Sequence, residues 1–224
     1  MKLPQIHIIK YTIEDLKMIE MVKQEKILDL RKQIDVLVID DEEFSAGKFL
    51  TSNNFRITYK SDIDNIKDVS EYPIIMCDVR GVGQKLSQTY EGAFIIKEIK
   101  NSYPTKRVIA YTASQYDASY NKYLSYADEL LTKGLALEDW LTTLDNQIHK
   151  SIDPIFQWKN LRRQLLDNGV STIDVAKMES VFVKSYKNKD FSDFERIANQ
   201  TTPDMRGIVV DFLSSAAIKF IKGV

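Results

Sequence analysis

The sequence predicts an α/β fold: a doubly wound, five-stranded parallel sheet, preceded by an N-terminal helix and followed by an all-α module. Three observations predict it. Short apolar runs alternate with helical periodicities five times between residues 35 and 150, the pattern of a parallel sheet covered by helices on both faces. Among these runs, residues 35–39 ("DVLVI") and 73–77 ("PIIMC") are short and apolar, as strands buried on both faces should be. Strand patterns then stop at Asp153-Pro154, and only helical ones follow.

Residues 12–34 read as one amphipathic helix, with Ile13, Leu16, Ile19, Val22, Ile27, Leu30 and Ile34 near three- and four-residue spacings. Thr12 with Glu14 and Asp15 is its start signal. The preceding "QIHIIKYT" reads as a short strand or an extended arm. The strands follow as "DVLVI" (35–39), "RITYK" (56–60, nearer an edge), "PIIMC" (73–77), "RVIAYT" (107–112) and "DELLT" (128–132). Helical stretches separate them: "EEFSAGKFLTSN", "IDNIKDV", "EGAFIIKEIKNSY" and "DASYNKYLSYA". A last helix starts near residue 137. Beyond Pro154, "IFQWKNLRRQLLDNG" ends in an Asn-Gly stop and "STIDVAKMESVFVKSYKNK" opens on capping residues. "DFSDFERIANQ" and "TPDMRGIVVDFLSSAAIKFIKG" complete a helical set. The expected organisation is an N-terminal arm and helix (1–34), an α/β domain (35–150) and a helical module (151–224).

Composition narrows the function. A net charge of -1 gives no support to non-specific binding of nucleic acid or anionic membrane. The single cysteine, Cys77, excludes an internal disulfide and fits a reducing compartment. With only His7 and His149 beside it, a zinc site is not expected. No apolar run is long enough to span a bilayer, and the start does not read as a secretory signal. The expectation is a cytoplasmic protein with no membrane insertion.

Function in a doubly wound sheet sits at the carboxyl ends of the strands. Here the first strand ends in Asp40-Asp41-Glu42, the third in Asp78, the fourth in Thr112 and the fifth in Lys133. Carboxylates converging on one edge repel each other unless a cation sits among them. Oxygen donors in modest number suit Mg²⁺.

Asp-Asp, Asp, Thr and Lys at successive strand ends, in "VLVIDDEE", "IIMCDVRG", "VIAYTAS" and "ELLTKG", resemble the receiver domain of two-component response regulators, a flavodoxin-like fold. The resemblance covers about residues 35–150. It implies that Asp78 is a phosphoacceptor, and that Mg²⁺ is held by Asp40, Asp41, Asp78 and the backbone carbonyl of Arg80. It implies further that Thr112 donates its hydroxyl to the phosphoryl group and that Lys133 pairs with Asp78 or the phosphate. The protein would be no enzyme beyond its own phosphoryl transfer and dephosphorylation. Its partners would be a histidine kinase or phosphotransfer protein.

The chain departs from that pattern in three places. No proline follows within a few residues of Asp78, and Gly92 is the first glycine suited to open the next helix, so the loop after Asp78 is extended. Gly134 follows Lys133 where proline is usual. Leu130 stands where an aromatic switch residue is usual, with Tyr126 nearby. Gly81-Val82-Gly83 reads as a flexible loop rather than a phosphate cradle. The Arg80 side chain has two open readings, a phosphate shield or a solvated loop residue. Cys77 reads as a core thiol and His149 as a surface histidine. Output is expected through a protein partner of the helical module or through a homodimer. The alternatives are a phosphorylation-independent scaffold or adaptor, and a DNA-binding helical output, for which no helix-turn-helix spacing is found.

Overall fold

The computed structural model describes residues 11–16, 27–113, 120–198 and 201–223. Its centre is a five-stranded parallel sheet of β1 (Asp35–Ile39), β2 (Arg56–Lys60), β3 (Ile74–Asp78), β4 (Arg107–Thr112) and β5 (Glu129–Thr132). The strand order is β2-β1-β3-β4-β5, the flavodoxin-like arrangement with its switch point between β1 and β3. Register aligns the carboxyl ends: Ile39 pairs with Cys77, Asp78 with Tyr111, and Thr112 with Thr132.

Side chains alternate across each strand, and the two faces carry separate cores. Val36, Val38, Met76, Ile109 and Tyr111 pack under three helices. These are α1 (Ile27–Gln33), α2 (Gly47–Ser52) and α5 (Leu137–Ile152). On α5, Trp140, Leu144, Ile148 and Ile152 recur at four-residue intervals and are buried, one stripe along the helix. The opposite face, with Leu37, Ile75, Cys77 and Val108, packs against Ile95, Ile96 and Ile99 of α3 (Glu91–Ser102). The short α4 (Asn121–Leu124) lies beside it.

Asp153 alone separates α5 from α6 (Pro154–Asp167). Its carboxylate caps α6 by accepting from Ile155 N–H and Phe156 N–H at 2.9 and 3.1 Å, with proline at the first helical position. Then come α7 (Thr172–Asn188), α8 (Ser192–Ala198), α9 (Pro203–Leu213) and α10 (Ala216–Lys222). Their core is aromatic: Trp158 stacks on Phe182 at 5.1 Å, and Phe194 and Phe212 meet both edge-on. The helical set docks on the amino edge of the sheet. There Asp211 of α9 accepts from the backbone N–H and the hydroxyl of Thr105, and burial raises its carboxyl above the ordinary range. A cavity of about 360 Å³ lies in this seam, lined in part by Ile34, Lys106, Ser215 and Lys219.

Several expectations are corrected. Of the helix expected over 12–34, Ile27–Gln33 is helical, but the start is a single 3-10 turn at Ile13–Asp15, capped by Thr12. Leu16 returns to extended backbone (φ -90°, ψ 105°). The reason is tertiary: Ile13 and Leu16 drop into the aromatic core of the helical set. The N–H of Ile13 donates to Glu179 at 3.0 Å. Glu179 also accepts from the Trp158 indole at 2.7 Å. Residues 5–10 and 17–26, expected as an arm and as mid-helix, lie outside the described residues. "IDNIKDV" forms only a 3-10 turn, Ile66–Val69. The helix expected from residue 42 starts at Gly47, because the preceding turn carries Phe44 inward to Tyr111 and Trp140. The final helix breaks at Ser214-Ser215, where Ser215 caps α10.

Asp128 ties β4, β5 and α3 together. It accepts from Lys100 Nζ at 3.0 Å, Arg107 Nη1 at 2.7 Å and Val108 N–H at 2.7 Å. Both cations are buried; burial lowers the Lys100 ammonium below its ordinary pKa despite the Asp128 charge. Removing the shared anion strands two buried cations, a change that costs about 3–5 kcal/mol. Asp128→Ala should therefore shift the urea unfolding midpoint by that equivalent. A shift under about 1 kcal/mol, the size seen for exposed pairs, would show that the network is only surface decoration.

Candidate functional site

The register delivers four side chains to one spot. Asp40 follows β1, Asp78 ends β3, Tyr111 lies opposite Asp78 on β4, and Lys133 follows β5. By alternation all four belong to the face covered by α1, α2 and α5. Lys133 Nζ lies 2.6 Å from Asp78 Oδ2 and 3.1 Å from Asp40 Oδ1, with Glu42 at 3.7 Å. Its backbone N–H donates to the Thr112 carbonyl at 3.0 Å, which fixes where the side chain starts. Asp40 is further held by Glu42 N–H at 3.0 Å and by the Tyr111 hydroxyl at 2.8 Å. Asp78 Oδ1 accepts from Val79 N–H at 2.6 Å and Arg80 N–H at 3.3 Å.

One carboxylate oxygen each from Asp40, Asp41 and Asp78 lies within 4.8 Å of the others. Asp40 and Asp78 are buried, while Asp41 is exposed. Three carboxylates and the nearby Glu42 meet the single ammonium of Lys133 here, so negative charge is in excess. Closely grouped hard oxygen donors with surplus negative charge fit a small divalent cation such as Mg²⁺.

Burial pushes the Asp78 carboxyl above its ordinary pKa, and Lys133 and the Arg80 N–H offset this only in part. Burial alone would lower Lys133, but its pairs with Asp78 and Asp40 prevail and raise it. The Tyr111 hydroxyl is pushed far up by burial and by Asp40, so it stays a proton donor. Cys77 is buried and its thiol is raised by that burial and by Asp78, in keeping with an inert core residue. His149 is half-buried on α5.

The loop after Asp78 is braced rather than loose, which corrects the flexible reading of Gly81-Val82-Gly83. Val79 and Val82 are buried in the α3-side core. Gly83 N–H donates to Asp62 Oδ1 at 2.6 Å and Gly81 N–H to Glu91 Oε2 at 2.8 Å. Gly81 has φ 81°, an angle that favours glycine, and a Cβ there would meet the Asp41 carboxylate, the movable end of an exposed side chain. Gly92 lets the first turn of α3 approach Asp78, whose carbonyl a Cβ would meet. Glu91 itself holds φ 47°, an unusual angle for a non-glycine residue.

Of the expected residues, Asp40, Asp41, Asp78 and Lys133 are brought together. Thr112 ends β4 beside Thr132, half-buried. The Arg80 N–H faces Asp78, while its guanidinium lies 5.2 Å from the Tyr120 ring centroid. Leu130 is exposed on β5, as is Tyr126 before it, and Lys133–Gly134 is a trans bond. Tyr111, Asp62 and Glu91 were not foreseen. Tyr111 alone left a signal, a hydroxyl-bearing ring in the last two residues of an apolar strand.

No family model matches this chain, and no curated protein matches it. Solved structures similar to it include response regulator receiver domains, which cover about half of this chain. A CheY-like receiver domain protein from Methanospirillum hungatei is 14% identical, covering 51% of this chain and 93% of that one, with a TM-score of 0.44. The beryllofluoride-activated NtrC4 receiver domain dimer is 24% identical over 52% of this chain and 97% of that one, at 0.43. The Thermotoga maritima response regulator TrrA in complex with Mg²⁺-BeF is 18% identical over 51% and 98%, at 0.40.

Because folding raises the Asp78 pKa, the stability from its bound proton is full below the ordinary carboxylate pKa of about 3.9 and is lost as pH rises through the folded value. In metal-free buffer, Asp78→Asn should gain on the native protein in urea midpoint from about pH 4 to about pH 7, with the gap closing toward acid. A difference that is flat with pH, or that reverses sign, would contradict the burial of an ionised Asp78.

Proposed function

We propose that the chain is an atypical response regulator: a receiver-like unit over residues 35–150 that is switched by phosphorylation of Asp78. The observation that carries this reading is Lys133 Nζ at 2.6 Å from Asp78, beside three carboxylates grouped within 4.8 Å. Phosphoryl transfer needs positioning and charge neutralisation more than covalent chemistry. Asp78 is the nucleophile: a carboxylate oxygen attacks phosphorus, and the bond to the donor group breaks. Lys133 favours the ionised form of Asp78 and aims it, and then pairs with the transferred group. Asp40, Asp41, Asp78 and the Arg80 carbonyl would hold Mg²⁺, which when bound supplies charge neutralisation at the phosphoryl oxygens. Thr112 would donate its hydroxyl to the acyl phosphate.

The donor would be a histidine kinase or a phosphotransfer protein. Residues 1–34 would precede this unit as an N-terminal segment, and residues 151–224 would be an output module. That module would work through a protein partner or through self-association as a homodimer. A cytoplasmic setting goes with this reading. Among the described residues no helix is long and apolar enough to cross a membrane.

A second reading is favoured by one observation. Asp78 is only 5% exposed, with one carboxylate oxygen taken up by Lys133 and the other by the N–H groups of Val79 and Arg80. A covered nucleophile suits a scaffold that binds its partners without phosphorylation. A small phosphodonor such as acetyl phosphate separates the two. Phosphorylation predicts labelling, read as a mobility shift, that requires Mg²⁺ and is lost in Asp78→Ala. A chain that takes no label, with partner binding unchanged by Asp78→Ala, is the scaffold. Salt-sensitive duplex binding would instead bring forward a DNA-binding output.

A further inference from the structure

We infer that Tyr111 is a positioning residue for the acid site, and that it reports the state of Asp40 to Trp140 at the head of α5. This inference rests on the cation-binding reading of the acids given above.

The geometry is unusual. Tyr111 stands on β4, and Asp40 follows β1, with β3 between them. Two inter-strand spacings, about 10 Å, separate β4 from β1. The Tyr111 side chain crosses this gap past Asp78, its register partner, and its hydroxyl reaches Asp40 Oδ2 at 2.8 Å. A shorter side chain at this position would not span it. Lys133 Nζ sits 5.6 Å from the same ring centroid and binds the other oxygen of Asp40 at 3.1 Å. Tyr111 thus holds one oxygen of Asp40 and leaves the other turned toward Lys133 and Asp78.

Groups that hydrogen-bond to metal ligands set ligand orientation, and their loss weakens metal binding. The ring has a second set of contacts. It meets Trp140 edge-on with centroids 6.1 Å apart, and Phe44 at 5.5 Å. Phe44 closes the triangle on Trp140 at 5.2 Å and lies three residues after Asp41. Tyr111 and Trp140 are 0% and 1% exposed. In a close-packed core a displaced ring cannot move without moving its neighbours. A cation that draws on Asp40 therefore pulls on the Tyr111 hydroxyl, and the ring transmits the change to Trp140.

The test uses the full chain labelled with 5-fluorotryptophan. Its two tryptophan resonances are assigned with Trp158→Phe, and Mg²⁺ alone is the ligand, with affinity read by calorimetry. Mg²⁺ should shift the Trp140 resonance by more than that of Trp158. Tyr111→Phe keeps the ring and removes only the hydroxyl; it should bind Mg²⁺ about tenfold more weakly or worse. At saturating Mg²⁺ its Trp140 shift should be lost, a readout that a merely structural role would not move. If Tyr111→Phe matches the native affinity and shift, the positioning role is wrong while the cation site stands. Binding by the native chain with a silent Trp140 overturns the inference without recourse to any variant. If the native chain takes no Mg²⁺, with calorimetry and both resonances flat, the reading of the acid cluster fails and this inference fails with it.

Discussion

One ammonium group holds two carboxylates that would otherwise drive the sheet edge apart. Asp40 and Asp78 follow adjacent strands in matching register, both buried, with Lys133 bridging them from the far side of β4. Buried charges persist in a fold only when they are paired and hydrogen-bonded. Here the pairing comes from three strands at once. The position of Lys133 depends on the β4–β5 ladder through its N–H to the Thr112 carbonyl. The sheet's register and the site's electrostatics are thus a single constraint. A slip in β5 would remove the counter-charge as well as the strand. The acids there outnumber the one ammonium, a balance that a bound cation or protonation would relieve.

The loop between β3 and α3 is arranged around the same cluster. Asp62 and Glu91 accept its glycine N–H groups from two different directions. Gly81 gives room to the Asp41 carboxylate and Gly92 to the Asp78 carbonyl. A long connection would ordinarily be a source of motion beside the reactive acid. Here two buried valines and two carboxylate acceptors tie it down. The unusual φ of Glu91 is one visible strain of that arrangement, and local strain of this kind tends to persist where the surroundings over-determine it.

The strand-end residues Asp40, Asp41, Asp78 and Lys133 were legible in the sequence because each closes a short apolar run, and strand ends are where a parallel sheet places its chemistry. Tyr111 was not, because within "RVIAYT" a tyrosine reads as core, and only the register shows that it points at Asp40. Asp62 and Glu91 act on glycines 21 and 10 residues away, a pairing that no local pattern encodes. The N-terminal periodicity was real but ambiguous. Apolar spacing says that Ile13 and Leu16 are buried, without saying against what. Their partner is the aromatic core built from residues more than 140 positions later, and that contact overrides the helical tendency at residues 12–16.

The acid cluster and the helical set lie at opposite ends of the sheet. The acids sit at the carboxyl edge, while Thr105 meets Asp211 at the amino edge. A change at Asp40 must therefore cross the full depth of the α/β layer to reach the aromatic core around Trp158. Helix α5 runs along that distance. It has 16 residues, about 24 Å at the rise of an α-helix. Trp140 lies in its first turn against Tyr111, and Ile152 ends it next to Asp153, which caps α6 directly. Only that one residue separates the two helices, so the link leaves little slack. A rigid helix seated on a buried aromatic triangle at one end and continuous with the helical set at the other is suited to carry a small displacement. The exposed Leu130 and Tyr126 on the β5 side offer no such continuous path. The interior route through Tyr111 and Trp140 is therefore the one that the packing favours.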